Sequence, residues 1–169
     1  MPIGMQAGCF THESFMELND LLAADAIVPL LKASSKKQVI QELSERAAKL
    51  TGLSQRQIFD KLLQRERLGS TGVGQGVAIP HGKLPDLDRI HGLFALLDKP
   101  VNYDAMDDKP VDIVFLLLAP EGAGADHLKA LARIARVLRS ENTLAKLRAA
   151  TDCDAIRAVL CALPESDAA

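Results

Sequence analysis

Ile113-Val114-Phe115-Leu116-Leu117-Leu118-Ala119 is an unbroken apolar run of seven residues, the longest in the chain. A membrane-spanning helix needs ~20 such residues. A run this short, without polar alternation, reads as a strand covered on both faces. Gly92 to Leu97 has the same character, and Val77 to Pro80 is a shorter apolar piece. Between the two long runs, Pro100-Val101-Asn102-Tyr103 is expected to add an edge segment, followed by an acidic turn through Asp104, Asp107 and Asp108.

Helical patterns flank this block. Ser35-Lys36-Lys37-Gln38 and Ser54-Gln55-Arg56-Gln57 have the form of capping boxes. The first opens a helix with Ile40, Leu43, Ala47 and Leu50 on one face. The second opens a helix with Ile58 and Leu62 inward that ends near Gly69, and Thr51-Gly52 separates the two. Downstream, Leu128, Leu131, Ile134, Ala135 and Leu138 form one stripe, and Leu144 and Leu147 mark a short helix. Thr151-Asp152-Cys153-Asp154 caps a last helix with Ile156, Val159, Leu160 and Leu163 inward. The expected fold is α/β: a three-layer sandwich, with a mixed and mostly buried sheet flanked by helices on both faces. The pattern does not order the strands. Residues 1–16 show no period and are expected to be a loose tail, with one domain over 17–163 and a short tail over 164–169.

The chain has 169 residues, 48% hydrophobic, enough for one domain with a proper core. Its net charge of −2 gives no basic excess for nucleic acid or an anionic membrane. The basic stretch from Lys61 to Arg67 is interrupted by acids and reads as a solvated helix face. No basic segment followed by an apolar block stands at the N-terminus, so no signal peptide is expected. Cys9, Cys153 and Cys161 are odd in number and lack a Cys-x-x-Cys, which fits reduced thiols in the cytoplasm. Cys153 and Cys161 read as small packing residues.

The chemistry concentrates in Ser70-Thr71-Gly72-Val73-Gly74-Gln75-Gly76-Val77-Ala78-Ile79-Pro80-His81-Gly82-Lys83. Gly72-x-Gly74-x-Gly76 is not a dinucleotide fingerprint, because it follows a helix and opens a strand, the reverse of what that motif requires. Gly82-Lys83 is not an ATP-binding loop: Val77 stands where its first glycine belongs, and Leu84 where a metal-binding hydroxyl should be. Two readings remain: an ordinary helix-to-strand connection, or an anion cradle in which glycine N–H groups and the Ser70 and Thr71 hydroxyls serve His81.

His81 follows a direction-fixing proline at a strand end, where open α/β sheets place ligands. His127 follows the Pro120-Glu121-Gly122-Ala123-Gly124 loop at a helix start, which suits either an anion contact or a capping role. His91 and His12 lie outside any motif. The histidines lack metal-ligand spacing, so no metal is expected. A Gly-x-Ser-x-Gly nucleophile elbow is also absent.

Arg65-Glu66 with the block from Gly69 to Lys83 closely resembles the enzyme IIA components of the bacterial phosphoenolpyruvate-dependent phosphotransferase system. Within these it is most similar to the nitrogen-regulatory branch. Tyr103-Asp104-Ala105-Met106-Asp107-Asp108-Lys109-Pro110-Val111-Asp112 and Asp126-His127-Leu128 carry the likeness further, over roughly residues 13–160. Tyr103 stands where the family pattern has Phe. The resemblance implies a phosphotransferase acting through phosphohistidine, with His81 the acceptor at Nε2 and no cofactor. The phosphate pocket would comprise Arg65, Ser70, Thr71, Gly72, Gly74, Gly76 and His127. The donor would be an HPr-like phosphocarrier, charged by enzyme I from phosphoenolpyruvate. Regulatory targets such as potassium-transport proteins or sensor kinases would read the phosphorylation state, in the cytoplasm, without nucleic acid or membrane insertion. A sugar-specific IIA component passing phosphate to a IIB partner is the alternative. A pure anion-binding module is a third reading.

Overall fold

The computed structural model describes residues 17–162. The expectations for the two tails, and for Cys9, His12 and Leu163, lie outside the described residues. The elements in chain order are α1 (Leu18–Leu21), β1 (Ile27–Leu31), α2 (Lys36–Thr51), α3 (Gln55–Arg67), β2 (Gly72–Gly74), β3 (Val77–Ala78), β4 (His81–Leu84), β5 (His91–Val101), β6 (Val111–Pro120), a 3₁₀ turn (Glu121–Ala123), α4 (Ala125–Val137), α5 (Glu141–Ala149) and α6 (Cys153–Cys161).

The long apolar run became the central strand. Along β6, Ile113, Phe115, Leu117 and Ala119 enter one core with α1, α4, α5 and α6. Val114, Leu116 and Leu118 enter the other, with α2 and α3. The period of two is present, but both phases are buried, so the sequence shows no alternation. The six-stranded sheet has the order β1-β5-β6-β3-β2, with β4 also on β6. β5 and β6 are antiparallel, whereas β1 on β5, and β3 and β4 on β6, are parallel. A mixed sheet between two helical layers is a three-layer α/β sandwich.

The helix stops and starts follow the expected chemistry. Ser35 Oγ accepts from the Gln38 N–H at 3.2 Å, and Ser54 Oγ from the Gln57 N–H at 3.4 Å. The return bond of the first box lands one residue early, on the Ser34 N–H (2.8 Å), rather than on that of Ser35. Gly52 ends α2 in the left-handed region at φ 76°, a conformation glycine adopts without a Cβ penalty.

Three sequence expectations change. Pro100 and Val101 extend β5 rather than form a separate edge piece, Val101 pairing with Val111, while Tyr103 is buried in the connection. The inward face of α4 differs only in its first turn: Leu128 is 67% exposed and His127 is buried there, while Ile134 and Leu138 are buried and Leu131 and Ala135 pack against the core as expected. Cys153 is exposed instead of packed.

The sheet also contains a close approach. A Cβ on Gly92 would sit 2.9 Å from a Phe115 ring carbon and 3.3 Å from Leu21 Cβ. Gly92→Val is therefore expected to overpack α1 against the sheet and cost about 1–3 kcal/mol, read as a lowered midpoint in urea with an unchanged slope.

Candidate functional site

β3 ends at Ala78, and Ile79-Pro80 interrupts the edge of β6 before β4 resumes at His81. His81 thus begins a strand rather than trailing one, opposite Leu117. Its Nδ1 lies 2.9 Å from the Ile79 carbonyl oxygen. A carbonyl only accepts, so Nδ1 carries the proton and Nε2 keeps its lone pair. The Arg65 Nε–H, from the last turn of α3, points at that Nε2 over 3.3 Å, and Arg65 Nη1 donates to the Gly69 carbonyl at 3.0 Å.

His127 packs its ring against that of His81, with centroids 5.7 Å apart. It is 5% exposed, and its Nδ1 is buried without a partner among the described residues. An unpaired buried polar atom costs roughly 1–3 kcal/mol, which marks the position as one that wants a ligand or a proton acceptor.

Burial pulls the pKa of His81 below the usual histidine range. The Ile79 carbonyl opposes this, the Arg65 guanidinium adds to it, and Glu66 opposes it in turn. His127 is lowered by burial first, then by His81 and Lys83. Burial, followed by Arg89, lowers His91 as well. Both rings of the cluster therefore favour the neutral, nucleophilic form near neutral pH. All three folded values lie below the ordinary 6.5, so the unfolded chain takes up protons first on acidification. The stability these histidines contribute is present above pH 6.5 and lost as pH falls through the lower folded values. Thermal melts should show Tm dropping on acidification through this range, and His127→Ala should flatten part of the slope; a rising Tm would contradict it.

The remaining sequence candidates lie elsewhere. The Ser70 hydroxyl donates to the Tyr103 carbonyl (2.8 Å) and accepts from the Gly72 N–H (3.1 Å). Thr71 gives both its N–H (3.1 Å) and its hydroxyl to the Glu66 carboxylate. Gly72 to Ala78 forms a β-hairpin, more ordered than a plain helix-to-strand connection. A Cβ on Gly72 would meet Ala105 Cβ at 2.8 Å, so this glycine serves a close approach. Gly74 lies against Asp107, which also takes the Gln75 N–H at 2.9 Å. Gly76, at φ 80°, sits against Arg148 and Asp112. Arg148 grips Asp112 through two bonds of 2.9 Å and the Gln75 carbonyl at 2.7 Å. That hairpin tip borders a hollow of about 600 Å³ beside Asp112, at the end of β6 remote from Leu117 and His81. The structure brings Arg65 and His127 to His81; it turns the Ser70 and Thr71 hydroxyls to Tyr103 and Glu66, and sets Gly72, Gly74 and Gly76 against Ala105, Asp107 and Arg148.

One group escaped the sequence reading. Glu66 falls in the stretch expected to be a solvated face, yet it is 8% exposed. Its carboxylate takes Lys36 Nζ at 2.9 Å and the Tyr103 hydroxyl at 3.2 Å besides the two Thr71 donors. Burial, then Glu66, pushes the Tyr103 phenol well above its usual range, so it stays a donor. Among the described residues, no three His, Cys, Asp or Glu side chains come together as a metal site. Nor is any described helix long and apolar enough to cross a membrane.

Comparison with known proteins places the chain. The family model "Phosphoenolpyruvate-dependent sugar phosphotransferase system, EIIA 2" matches residues 20–162. A nitrogen regulatory protein of Bradyrhizobium diazoefficiens is 62% identical over 154 residues, covering 91% of this chain and all of that one. That of Escherichia coli is 38% identical over 140 residues, 82% of this chain and 86% of that protein. The crystal structure of the nitrogen regulatory protein IIA-Ntr from Neisseria meningitidis superposes with a TM-score of 0.81 at 36% identity, covering 85% of this chain and 98% of that one. The chain with the His81, Arg65 and His127 cluster belongs to the EIIA type 2 family of the phosphoenolpyruvate-dependent phosphotransferase system, in its nitrogen-regulatory branch.

Proposed function

We propose that this protein is a regulatory phosphoryl carrier that accepts a phosphoryl group on Nε2 of His81 from the phosphohistidine of an HPr-like protein. The observation that carries the reading is the Nδ1–H held by the Ile79 carbonyl, which leaves Nε2 as the nucleophilic nitrogen beside a guanidinium. Phosphoryl transfer is mostly positioning and charge neutralisation around a loose, in-line transition state. A bond forms from Nε2 to phosphorus as the bond from phosphorus to the donor imidazole breaks, and the donor leaves with those electrons. Nδ1–H stays on the Ile79 carbonyl, which stabilises the ring as it becomes cationic. Arg65 yields the lone pair and takes up phosphate oxygens, with His127 donating from the other side. Ser70 and Thr71 act at one remove, the Thr71 carbonyl taking the Ile79 N–H just before His81.

Leu68 and Leu128, sequence neighbours of the pocket residues, are 83% and 67% exposed and supply an apolar rim for a protein donor. The added charge of about −1.5 to −2, by analogy with other phosphorylated residues, would fall on the same surface and change which partners dock there. On this reading the protein works in the cytoplasm, with enzyme I and phosphoenolpyruvate upstream and regulatory proteins, such as potassium-transport proteins or sensor kinases, as targets.

The test is incubation with phosphoenolpyruvate, enzyme I and the HPr-like carrier. An acid-labile, base-stable phosphate is expected, with nitrogen NMR locating it on Nε2. An unlabelled protein beside a demonstrably charged carrier would overturn the proposal. Onward transfer of the label to a IIB protein would make this a sugar-specific component instead. Equal affinity of both phosphorylation states for every partner would remove the regulatory part.

A further inference from the structure

Two charges in this fold stand where their helices oppose them. Lys36 is the first residue of α2, at the positive end of its dipole, and Glu66 lies in the last turn of α3, at the negative end. They pair with each other at 2.9 Å, the Glu66 side chain being 3% exposed. A buried ion pair of this kind is weak evidence for stability, since desolvation offsets its attraction. Its geometry is more informative. The Glu66 carboxylate receives four donors, from Lys36, the Thr71 N–H, the Thr71 hydroxyl and Tyr103, which satisfies its acceptor sites. The Lys36 ammonium also sits 4.7 Å from the centre of the Tyr103 ring.

Two routes lead from this carboxylate to His81. Through the chain, Glu66 fixes the last turn of α3, and the neighbouring Arg65 reaches Nε2. Through hydrogen bonds, Glu66 holds Thr71, the Thr71 carbonyl takes the Ile79 N–H at 2.9 Å, and the Ile79 carbonyl takes the His81 Nδ1–H at 2.9 Å. We infer that Glu66, supported by Lys36 and Tyr103, is a positioning residue that registers the His81 imidazole from both of its nitrogens, fixing its tautomer and its distance to Arg65. The inference builds on the proposed phosphoacceptor role of His81, but its geometric content is independent of that role. It gives Tyr103 a specific part: only a phenol supplies the fourth donor, and a phenylalanine there leaves one acceptor site of a buried carboxylate empty.

The experiment is Glu66→Gln and Tyr103→Phe in the full chain, read by the imidazole ¹⁵N shifts of His81 and by the rate of phosphorylation from the charged carrier. Glu66→Gln keeps the volume but replaces one acceptor oxygen by a donor, facing either the Thr71 and Tyr103 hydroxyls or the Thr71 N–H and Lys36. It is expected to mix the two His81 tautomers and slow phosphorylation about tenfold or more, since a misplacement near 1 Å can cost ~10²-fold. Tyr103→Phe should shift the ¹⁵N pattern in the same direction and slow phosphorylation about threefold to tenfold, in keeping with loss of a single donor. A purely structural carboxylate would lower Tm and leave the ¹⁵N pattern untouched; that result in a labelled protein overturns the inference. If the wild type takes no label, the phosphoacceptor reading falls, and the tautomer shift still decides the positioning role. If Glu66→Gln fails to fold, Tyr103→Phe decides: an unmoved His81 spectrum overturns the inference.

Discussion

His81→Ala is expected to take no phosphate from a charged carrier while remaining folded. The side chain is half-buried at the start of β4 and makes one hydrogen bond through each nitrogen. Losing the pair should cost on the order of 1–3 kcal/mol at about 0.5–1.5 each, less than most domains possess. The functional loss is of another kind, because the variant lacks the atom to which phosphorus bonds. Among the described residues, His127 is the ring that packs on His81, with centroids 5.7 Å apart, and its buried Nδ1 has no described partner to fix its tautomer. Complete loss of label, with Tm lowered by roughly 2–12 °C and the protein still folded, is the expected result. Label surviving on the variant at a wild-type rate would transfer the acceptor role to His127, and double substitution would then abolish it. His91→Ala serves as the comparison: it titrates in the same direction but starts β5, facing Leu118, and should label normally.

Much of the fold was legible because the chain writes burial directly. An apolar run too short for a membrane and too continuous for a one-sided strand has few places to go, and β6 occupies the centre of the sheet. Serine caps and Gly52 marked the helix boundaries for local reasons that survive tertiary packing. The failures share a cause. Gly72 to Gly74 is a three-residue strand with two glycines and an exposed Val73, so it carries no apolar alternation to read. The stripe on α4 holds from Leu131 to Leu138 and fails only in its first turn, because hydrophobicity ranks Leu128 above His127. The helix buries the histidine against His81 and exposes the leucine. Burial of a polar group is invisible to a hydrophobic period, and here it marks the site.

The same blindness hid Glu66. In a stretch reading Lys-Leu-Leu-Gln-Arg-Glu-Arg, charge suggests solvent, and nothing local says which acid turns inward. Its partners come from α2, from the residue before the hairpin and from the β5–β6 connection, so only the assembled sheet brings them together. His81 could be singled out from sequence, because a proline and a hydroxyl- and glycine-rich segment precede it. The pocket around it was half accessible: Arg65 and His127 converge on the ring, while the hydroxyls of Ser70 and Thr71 are spent on Tyr103 and Glu66.

Arg65→Ala is the second large expectation: a fall of about 10²–10³ in the phosphorylation rate, the cost typical of removing one preorganised donor from a developing negative charge. Two mechanisms contribute, and they separate. The guanidinium holds the His81 pKa down, so its removal lets that value rise toward 6.5 and shrinks the neutral fraction at neutral pH. Even a return to a pKa of ~6.5 leaves most of the ring neutral at pH 7, so titration explains less than a factor of about two. The rest must come from contact with the phosphate oxygens. Arg65→Lys keeps the charge but loses the planar fork and the Nε–H now 3.3 Å from Nε2, so recovery should be partial. Measuring the rate against pH for wild type and both variants makes the division visible. A deficit that persists above pH 8, where every ring is neutral, assigns the guanidinium to the transferring group. A deficit that vanishes there would reduce Arg65 to tuning the histidine, and the phosphate would need another counter-charge.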